Sequence, residues 1–330
     1  MNVRLFPKIE LHLHLDCSLS FDVVSNLNPS LTRHEYEQNF IAPAKCADLA
    51  ELLTRARSGI QLMQTEEQLR RVTDDLFQQL ARENVLYAEI RFAPLLHTEQ
   101  GLTPEDVVDV VDDAATKAAE MTDVEAMLIL CTLRHFSAEQ SLQTAKLVHR
   151  FRGRRVVALD LAGDEAGFPI EAHLPAFRYA IAERIPRTAH AGEARGSASV
   201  WETLKHLKPS RVGHGVRSIE DPRLIHHLRD QRIHLEICPT CNVQTNICNS
   251  YTDHPIDRLY SSGVSLGINT DGRTMSNVTL TREYETLQQV FGWGKDHFRA
   301  CNMNALEASF ASNDTKKHLA QQLIDWYRNN

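Results

Sequence analysis

Short apolar runs alternate with longer amphipathic segments along most of this 330-residue sequence. Apolar runs of this length predict buried strands, and the helical period of the segments between them predicts surface helices. Strands alternating with helices indicate parallel βαβ units, and about seven or eight units in one chain favour a closed (β/α)8 TIM barrel over an open doubly wound sheet. The predicted strands are the run ending at His14 and residues 85–92, 126–132, 156–162, 187–190, 233–238 and 264–269. The predicted helices cover residues 104–121, 138–151, 171–184, 198–207 and 221–229.

We expect a single domain over residues 1–330, because no repeat, low-complexity tract or Pro/Gly/Ser-rich linker divides the sequence. Residues 21–82 and 279–329 have mainly helical patterns and should decorate the barrel as extra helices. In such a barrel the side chains that end the strands line a site at the carboxyl face. The chemistry should therefore lie at the tails of the apolar runs.

Composition excludes several classes of partner. The formal net charge of −7 offers no general attraction to nucleic acids or anionic membranes, so a small neutral substrate fits better. No stretch of 18 apolar residues is present, and charges at Arg4, Lys8 and Glu10 interrupt the start of the chain, which predicts a cytoplasmic protein. Seven cysteines, an odd number, indicate reduced thiols rather than a disulfide framework. The oligomeric state stays open.

Three of the predicted strands end in metal-ligating residue types. His12 and His14 are two residues apart, which places both imidazoles on one face of a strand. A short strand ends at His190, and another leads to Asp271. Either histidine of the first pair alone would more often be a satisfied interior group, but three histidines and one carboxylate at strand tails predict one divalent metal ion, best suited to Zn²⁺.

Two further side chains are candidates for proton transfer. Glu193 follows His190 after a glycine that lets the chain turn, and a carboxylate beside a metal-activated water is the usual proton shuttle. His214 is flanked by Gly213 and Gly215, which permit a tight turn and close approach to a substrate. A structural turn histidine is the alternative, but beside the predicted metal site we assign His214 to orienting and deprotonating the attacking water.

With these motifs in order, the sequence resembles the adenosine deaminase family of the amidohydrolase superfamily. Eight ordered segments spread over nearly the whole chain are far more specific than any single motif. They are PKIELHLHLD at 7–16, YAEIRFAP at 87–94, LRH at 133–135, ALDLAGDE at 158–165, HAGE at 190–193, VGHG at 212–215, EICPTCNVQT at 236–245 and INTD at 268–271.

The resemblance implies hydrolytic deamination of adenosine, and of 2′-deoxyadenosine, to a hypoxanthine nucleoside and ammonia. Glu193 would protonate purine N1, hydroxide would add to C6 with help from His214, and Asp271 would also act in catalysis. The positions expected to contact the purine nucleoside are His14, Asp16 at the ribose end, Gly163 through its N–H at N3, and Gly272. The zinc ligands implied by the family are the same four as above, His12, His14, His190 and Asp271.

Two positions depart from the family pattern. Cys17 follows Asp16 where the family commonly has glycine, and Gly272 follows Asp271 where it commonly has a second aspartate that bonds purine N7. Substrate preference is therefore more open than the chemistry. Adenine, a modified adenine or aminodeoxyfutalosine could replace adenosine, whereas a nucleoside monophosphate is less expected because no basic cluster is evident.

Other readings compete with this one. His234-x-Glu236 followed by Cys238 and Cys241 superficially matches the other zinc deaminases, which use HxE and PCxxC, but Glu236 and Cys238 lie on one predicted strand. The cysteine pair is therefore expected to be ordinary buried thiols. A binuclear hydrolase would want a bridging lysine at the end of 156–162, and none is there. A hypothesis of another functional class is an inactive purine-binding scaffold. Loss of a metal ligand or of Glu193 would favour it, but all of these residues are present.

Overall fold

The computed structural model describes residues 2–329, so the two end residues of the expected 1–330 domain lie outside it. Eight parallel strands follow one another around a barrel, in the order of the sequence. The strands are β1 Lys8–His14, β2 Val85–Phe92, β3 Glu125–Leu133, β4 Val156–Ala162, β5 His190–Ala191, β6 Arg211–His214, β7 His234–Ile237 and β8 Leu266–Ile268. This confirms the predicted TIM barrel.

Backbone bridges at two places close the barrel. Strands β1–β4 and β5–β8 form two four-stranded sheets. One seam is bridged by Leu159 and Arg187, and the other by Leu13 and Asp271. At the second seam Asp271 N–H donates to the His12 carbonyl at 3.0 Å, and His14 N–H donates to the Asp271 carbonyl at 2.7 Å. Closure therefore fixes the backbone of β1 against the residue that follows β8.

Helices surround the strands, and four begin with the capping pairs that favour helix starts, formed by Thr32, Thr65, Thr103 and Ser137 with the residue three positions on. Short 3₁₀ turns lie at Val3–Leu5, Leu15–Cys17, Pro94–Leu96, Glu171–His173, Val216–Glu220 and Tyr251–Asp253. The α-helices are α1 Phe21–Leu27, α2 Arg33–Phe40, α3 Leu49–Leu53, α4 Ala56–Gln61, α5 Glu66–Arg82, α6 Pro104–Thr122, α7 Ala138–Arg150, α8 Leu174–Ala182, α9 Ser197–His206, α10 Pro222–Asp230, α11 Pro239–Gln244, α12 Ile256–Ser261, α13 Leu280–Phe291, α14 Lys295–Ala308 and α15 Asn313–Asn329.

Three details differ from the sequence prediction. Strand β5 is only His190–Ala191, with an isolated bridge at Arg187, because the chain touches β4 at one point before pairing with β6. Strand β6 was not among the predicted strands, since its buried Arg211 and His214 break the apolar pattern. Helix α5 connects β1 to β2 and packs on β2, and α14 packs on β8 and β1, so both are barrel helices rather than decoration.

A second, smaller apolar cluster lies beyond the main core at the carboxyl ends of the strands. It combines Cys17 after β1, Cys238 and Cys241 after β7, and Met275 after β8 with side chains of α3. All seven cysteines are buried, and none is in a disulfide bond. Within residues 2–329, no helix has both the length and the apolar character needed to span a membrane.

Candidate active site

The four predicted metal ligands meet at the carboxyl end of the barrel. The Nε2 atoms of His12 and His14 lie 3.3 and 3.4 Å from Asp271 Oδ1. The Nε2 atoms of His14 and His190 are 3.3 Å apart. Strand β1 and the segment after β8 are distant in sequence and adjacent at one barrel seam, whereas His190 on β5 reaches the cluster from elsewhere in the barrel, so closure of the barrel brings the four residues together.

Second partners fix which nitrogen of each ring faces the cluster. His12 Nδ1–H donates to Glu236 at 2.8 Å, and His190 Nδ1–H donates to the carboxylate of Asp160 at 3.2 Å. Each ring is then left with an Nε2 lone pair pointing inward, and His12 Nε2 is buried with no hydrogen-bond partner. Burial lowers the pKa of His14 to about 3, so that ring is neutral as well. Converging lone pairs beside a carboxylate fit a divalent cation.

Asp271 is adapted to carry negative charge at this point. Burial alone would raise the pKa of its carboxyl, but the close imidazoles of His12, His14 and His214 hold that pKa well below its usual range. Its backbone has a left-handed φ of +64°, and His214 has a φ of +57°. Such conformations cost a non-glycine residue about 1 kcal/mol or more, and they cluster at functional sites.

A buried charge network beneath the histidines links their second partners. Arg91 donates to Asp160 at 2.9 Å and to Glu236 at 2.8 Å. Arg211 donates to the other oxygen of Glu236 at 2.7 Å. These two arginines outweigh the effect of burial and hold the pKa of Glu236 well below its usual range. The network therefore keeps anionic acceptors behind His12 and His190.

Glu193 is held in the site by its own backbone. The carboxylate of Glu165 accepts the N–H groups of residues 192–195 at 2.7–3.0 Å. It also accepts the hydroxyl of Ser199 at 2.5 Å. Burial, together with the carboxylates of Asp271 and Glu165, raises the pKa of Glu193 well above its usual range. Glu193 is thus suited to hold a proton.

His214 lies against both Glu193 and the predicted metal ligands. Its Nε2 is 3.5 Å from Glu193 Oε2 and is buried without a hydrogen-bond partner. Ligand atoms of His12, His190, His214 and Asp271 all lie within 4.8 Å of one another, so distance alone does not separate His214 from the predicted ligands. A Cβ on Gly213 would come within 3.0 Å of the His12 ring, so this glycine makes room for the histidines.

The cavity beside Glu193 has a volume of about 390 Å³. Asp48, Asp164 and Arg217 supply charged groups to its wall, together with Glu193. Arg217 is already engaged, because its Nε donates to Glu220 at 2.6 Å and its Nη1 to the Ala194 carbonyl at 3.3 Å. The wall therefore has an excess of negative charge.

The predicted substrate positions surround the same strand ends. Asp16 is buried after β1, with His97 3.8 Å away. Gly163 directly follows β4 and has a φ of +96°, which favours glycine. Gly272 has no room for a side chain, since a Cβ there would lie 2.8 Å from the Cβ of Cys17 and 3.1 Å from Met275 Cε. The two departures from the family pattern are therefore in contact with each other.

Several supporting residues escaped the sequence analysis. Asp160 and Glu165 lie in the segment 158–165 that carries the resemblance, and their position there was the available signal. Glu236 was considered only as part of a rival motif, but it accepts the hydrogen of His12. Asn242, 3.1 Å from His214, was not singled out.

Together, the barrel and the polar residues at its strand ends define a hydrolase of the amidohydrolase type with a candidate metal site. A family model described as adenosine deaminase matches residues 7–326. The chain belongs to the adenosine deaminase family, and it is a hydrolytic deaminase acting on C–N bonds.

Several adenosine deaminases are similar to this chain over nearly their whole length. It is 34% identical to an adenosine deaminase of Clostridium perfringens, over 98% of this chain and 100% of that one. It is 36% identical to an adenosine deaminase of Clostridium botulinum, over 97% of each chain. Among solved structures, an adenine deaminase from Arthrobacter aurescens has a TM-score of 0.90 at 24% identity, covering 98% and 99% of the two chains, which supports the fold. An Arabidopsis N6-mAMP deaminase has a TM-score of 0.87 at 25% identity, covering 99% of both.

Proposed function

We propose that this protein is a zinc-dependent deaminase that converts adenosine and 2′-deoxyadenosine to inosine, or its deoxy form, and ammonia. The observation that carries the proposal is the convergence of three imidazole Nε2 atoms on one carboxylate, beside the buried carboxyl of Glu193, whose pKa is raised by burial. Relatives at 34–36% identity that are named adenosine deaminases support the choice of substrate. We place the activity in the cytoplasm.

One Zn²⁺ per chain would be held by His12, His14, His190 and Asp271. When bound there, zinc would supply a Lewis acid that lowers the pKa of a water molecule. Glu236 and Asp160 keep the hydrogens of His12 and His190 on Nδ1 and so leave Nε2 free to bind the metal. The protein thus orients the Nε2 lone pairs of His12 and His190 toward the metal site before the metal binds.

Glu193 is the general acid of the proposed reaction. A carboxyl whose pKa is raised well above its usual range can donate a proton to purine N1 as hydroxide adds to C6. His214 contacts the water from the other side, and Asp271 keeps a negative charge beside it. His14, Asp16, Gly163 and Gly272 form the surface against which the nucleoside lies.

The charge of the cavity favours a nucleoside over a nucleotide. A phosphate would need an unengaged arginine or lysine, because an unpaired dianion near carboxylates is strongly unfavourable. Asp48 and Asp164 line the cavity, while Arg217 already bonds to Glu220 and Ala194. We therefore expect adenosine to be preferred over its 5′-monophosphate.

A second candidate is another 6-aminopurine compound, such as adenine, a modified adenine or aminodeoxyfutalosine. The observation that favours it is the bare backbone at Gly272 beside Cys17, which offers no carboxyl to purine N7. An unmatched polar atom in a closed pocket costs about 1–3 kcal/mol, enough to change a substrate ranking.

The test is a substrate panel with zinc-loaded protein. Adenosine, 2′-deoxyadenosine, adenine, aminodeoxyfutalosine, AMP and N6-methyl-AMP are compared by ammonia release and by the change in purine absorbance. We expect adenosine to have the highest kcat/KM. Glu193→Gln should retain zinc and lose activity by about 10²-fold or more. Zinc-loaded protein that binds purines but releases no ammonia from any of them would refute the enzyme and leave the inactive scaffold.

A further inference from the structure

A chain of hydrogen bonds runs behind His214, away from the metal cluster. The backbone N–H of Ile256, at the start of α12, donates to His254 Nδ1 at 3.1 Å. His254 Nε2 is 3.2 Å from Asn242 Oδ1, and Asn242 Nδ2 is 3.1 Å from His214 Nδ1. His214, Asn242 and His254 are at most 3% exposed, so bulk water does not compete for these bonds.

The direction of every bond in this chain follows from its first donor. A backbone N–H can only donate, so His254 Nδ1 must accept and a neutral His254 carries its hydrogen on Nε2. That hydrogen requires the amide oxygen of Asn242, which turns the amide NH₂ toward His214 Nδ1. His214 Nδ1 then accepts, and the ring hydrogen of His214 lies on Nε2.

We propose that Asn242 and His254 are positioning residues that hold His214 with its hydrogen on Nε2, so that His214 donates a hydrogen bond to the attacking water. The proton of that water passes instead to the carboxylate of Asp271, which returns it to the departing amine to release ammonia. The inference rests on the proposed function, because it concerns the water of that reaction. It also differs from the role of a base expected for His214 from the sequence. Burial lowers the pKa of His254 to about 3, which keeps the second ring of the chain neutral.

The same reasoning separates His214 from the metal ligands. His12 and His190 have carboxylates behind Nδ1, and these acceptors leave Nε2 lone pairs facing the cluster. His214 has an amide donor behind Nδ1, so its Nε2 faces the cluster with a hydrogen. His214 therefore stays a donor although it lies within 4.8 Å of three ligand atoms. Ligand atoms of Cys241, His214 and Glu193 also lie within 4.8 Å of one another. With a hydrogen on its Nε2, His214 would not offer that group a lone pair for a metal ion.

The ring nitrogens can be observed directly by ¹⁵N NMR of the zinc-loaded protein labelled at histidine. His214→Gln identifies the signals of His214 by their loss. We expect a pyrrole-type shift for Nε2 and a pyridine-type shift for Nδ1, opposite to the pattern of His12 and His190. A pyrrole-type shift for Nδ1 of His214 would overturn the proposal, and this measurement needs no substitution of Asn242 or His254.

Asn242→Asp tests the mechanism of control. A carboxylate at position 242 only accepts, so His214 should move its hydrogen to Nδ1 and the two shifts should exchange. Loss of one preset donor predicts a decrease in kcat of about 10²–10³-fold with a smaller change in KM. Exposed Asn313→Asp is the matched control and should leave the shifts and the rate unchanged.

His254→Phe provides a second variant if Asn242→Asp does not fold. Without the ring that orients the amide, His214 should populate both hydrogen positions, with intermediate shifts and a reduced kcat. Unchanged shifts in both folded variants would refute control by the chain. A protein with the expected shifts but no deaminase activity would instead contradict the proposed function and leave the hydrogen-bond assignment intact.

Discussion

Replacement of Glu236 by glutamine tests whether the buried carboxylate behind His12 tunes the metal site. Its Oε2 accepts from His12 Nδ1 and from Arg91, both at 2.8 Å. Its Oε1 accepts from Arg211 at 2.7 Å and from Thr188 at 3.2 Å. Glutamine keeps the size of the side chain but has one acceptor oxygen for four donors. One side of the network must therefore lose its hydrogen bonds.

The size of the effect follows from which donors lose their partner. Loss of a carboxylate behind a metal-binding histidine lowers metal affinity by about 10–100-fold, or about 1.4–2.8 kcal/mol. Removal of one member of a buried ion pair costs about 3–5 kcal/mol in the free energy of unfolding. Arg91 retains Asp160, and Arg211 retains Glu89. We therefore expect the lower end of that range, about 3 kcal/mol.

Zinc affinity is measured by competition with a chromophoric chelator, and stability of the metal-free protein by urea denaturation. Glu307→Gln is the matched control, because Glu307 pairs with Arg232 at the surface with side chains 73% and 83% exposed. That pair should contribute less than about 1 kcal/mol. Wild-type zinc affinity in Glu236→Gln would contradict the role of Glu236 behind His12.

Substitutions at three other places in the structure have direct expectations. Glu165→Gln should loosen the backbone of residues 192–195 and lower kcat by about tenfold or more while zinc stays bound, measured by steady-state kinetics and metal analysis. Gly272→Ala should lower the free energy of unfolding by about 1–3 kcal/mol, measured by heat or urea, because its Cβ would overlap Cys17. In a double-mutant cycle, Cys17→Gly should relieve that loss, and additive effects of the two substitutions would refute the contact. Burial raises the pKa of Glu283 to about 8 from an ordinary 4.5. The free energy of unfolding should therefore fall as the pH rises between these two values, by up to about 1.4 kcal/mol per pH unit. Glu283→Gln should remove that slope when urea denaturation is measured at several pH values.

The strands that form continuous apolar runs could be predicted from the sequence. Predicted 85–92 and 156–162 coincide with β2 and β4, because buried parallel strands need apolar side chains on both faces. Strand β6 could not be recognised in this way, since Arg211 and His214 are polar yet buried. Their burial depends on Glu89, Glu236 and the metal cluster, which come from other strands.

The candidate ligands could be predicted because each lies within three residues of the carboxyl end of a strand, and closure of a barrel brings strand ends together. The carboxylates that accept hydrogen bonds from these histidines could not be predicted. Asp160 lies 30 positions from His190, and Glu236 lies 224 positions from His12. A carboxylate in an apolar strand has no local signature that tells which imidazole it accepts from. Only the register of the strands gives that information.

Cys17 and Gly272 suggest why the metal side and the purine side of this site can vary independently. Asp271, a proposed metal ligand, is fixed by two backbone hydrogen bonds to β1 and lies against two histidines, so its position does not depend on the next side chain. Gly272 and Cys17 instead contact each other and Met275 in the smaller apolar cluster. A side chain added at 272 requires a smaller one at 17, so the two positions must change as a pair. Exchange of that pair would alter the edge of the pocket offered to the purine and leave the metal ligands in place.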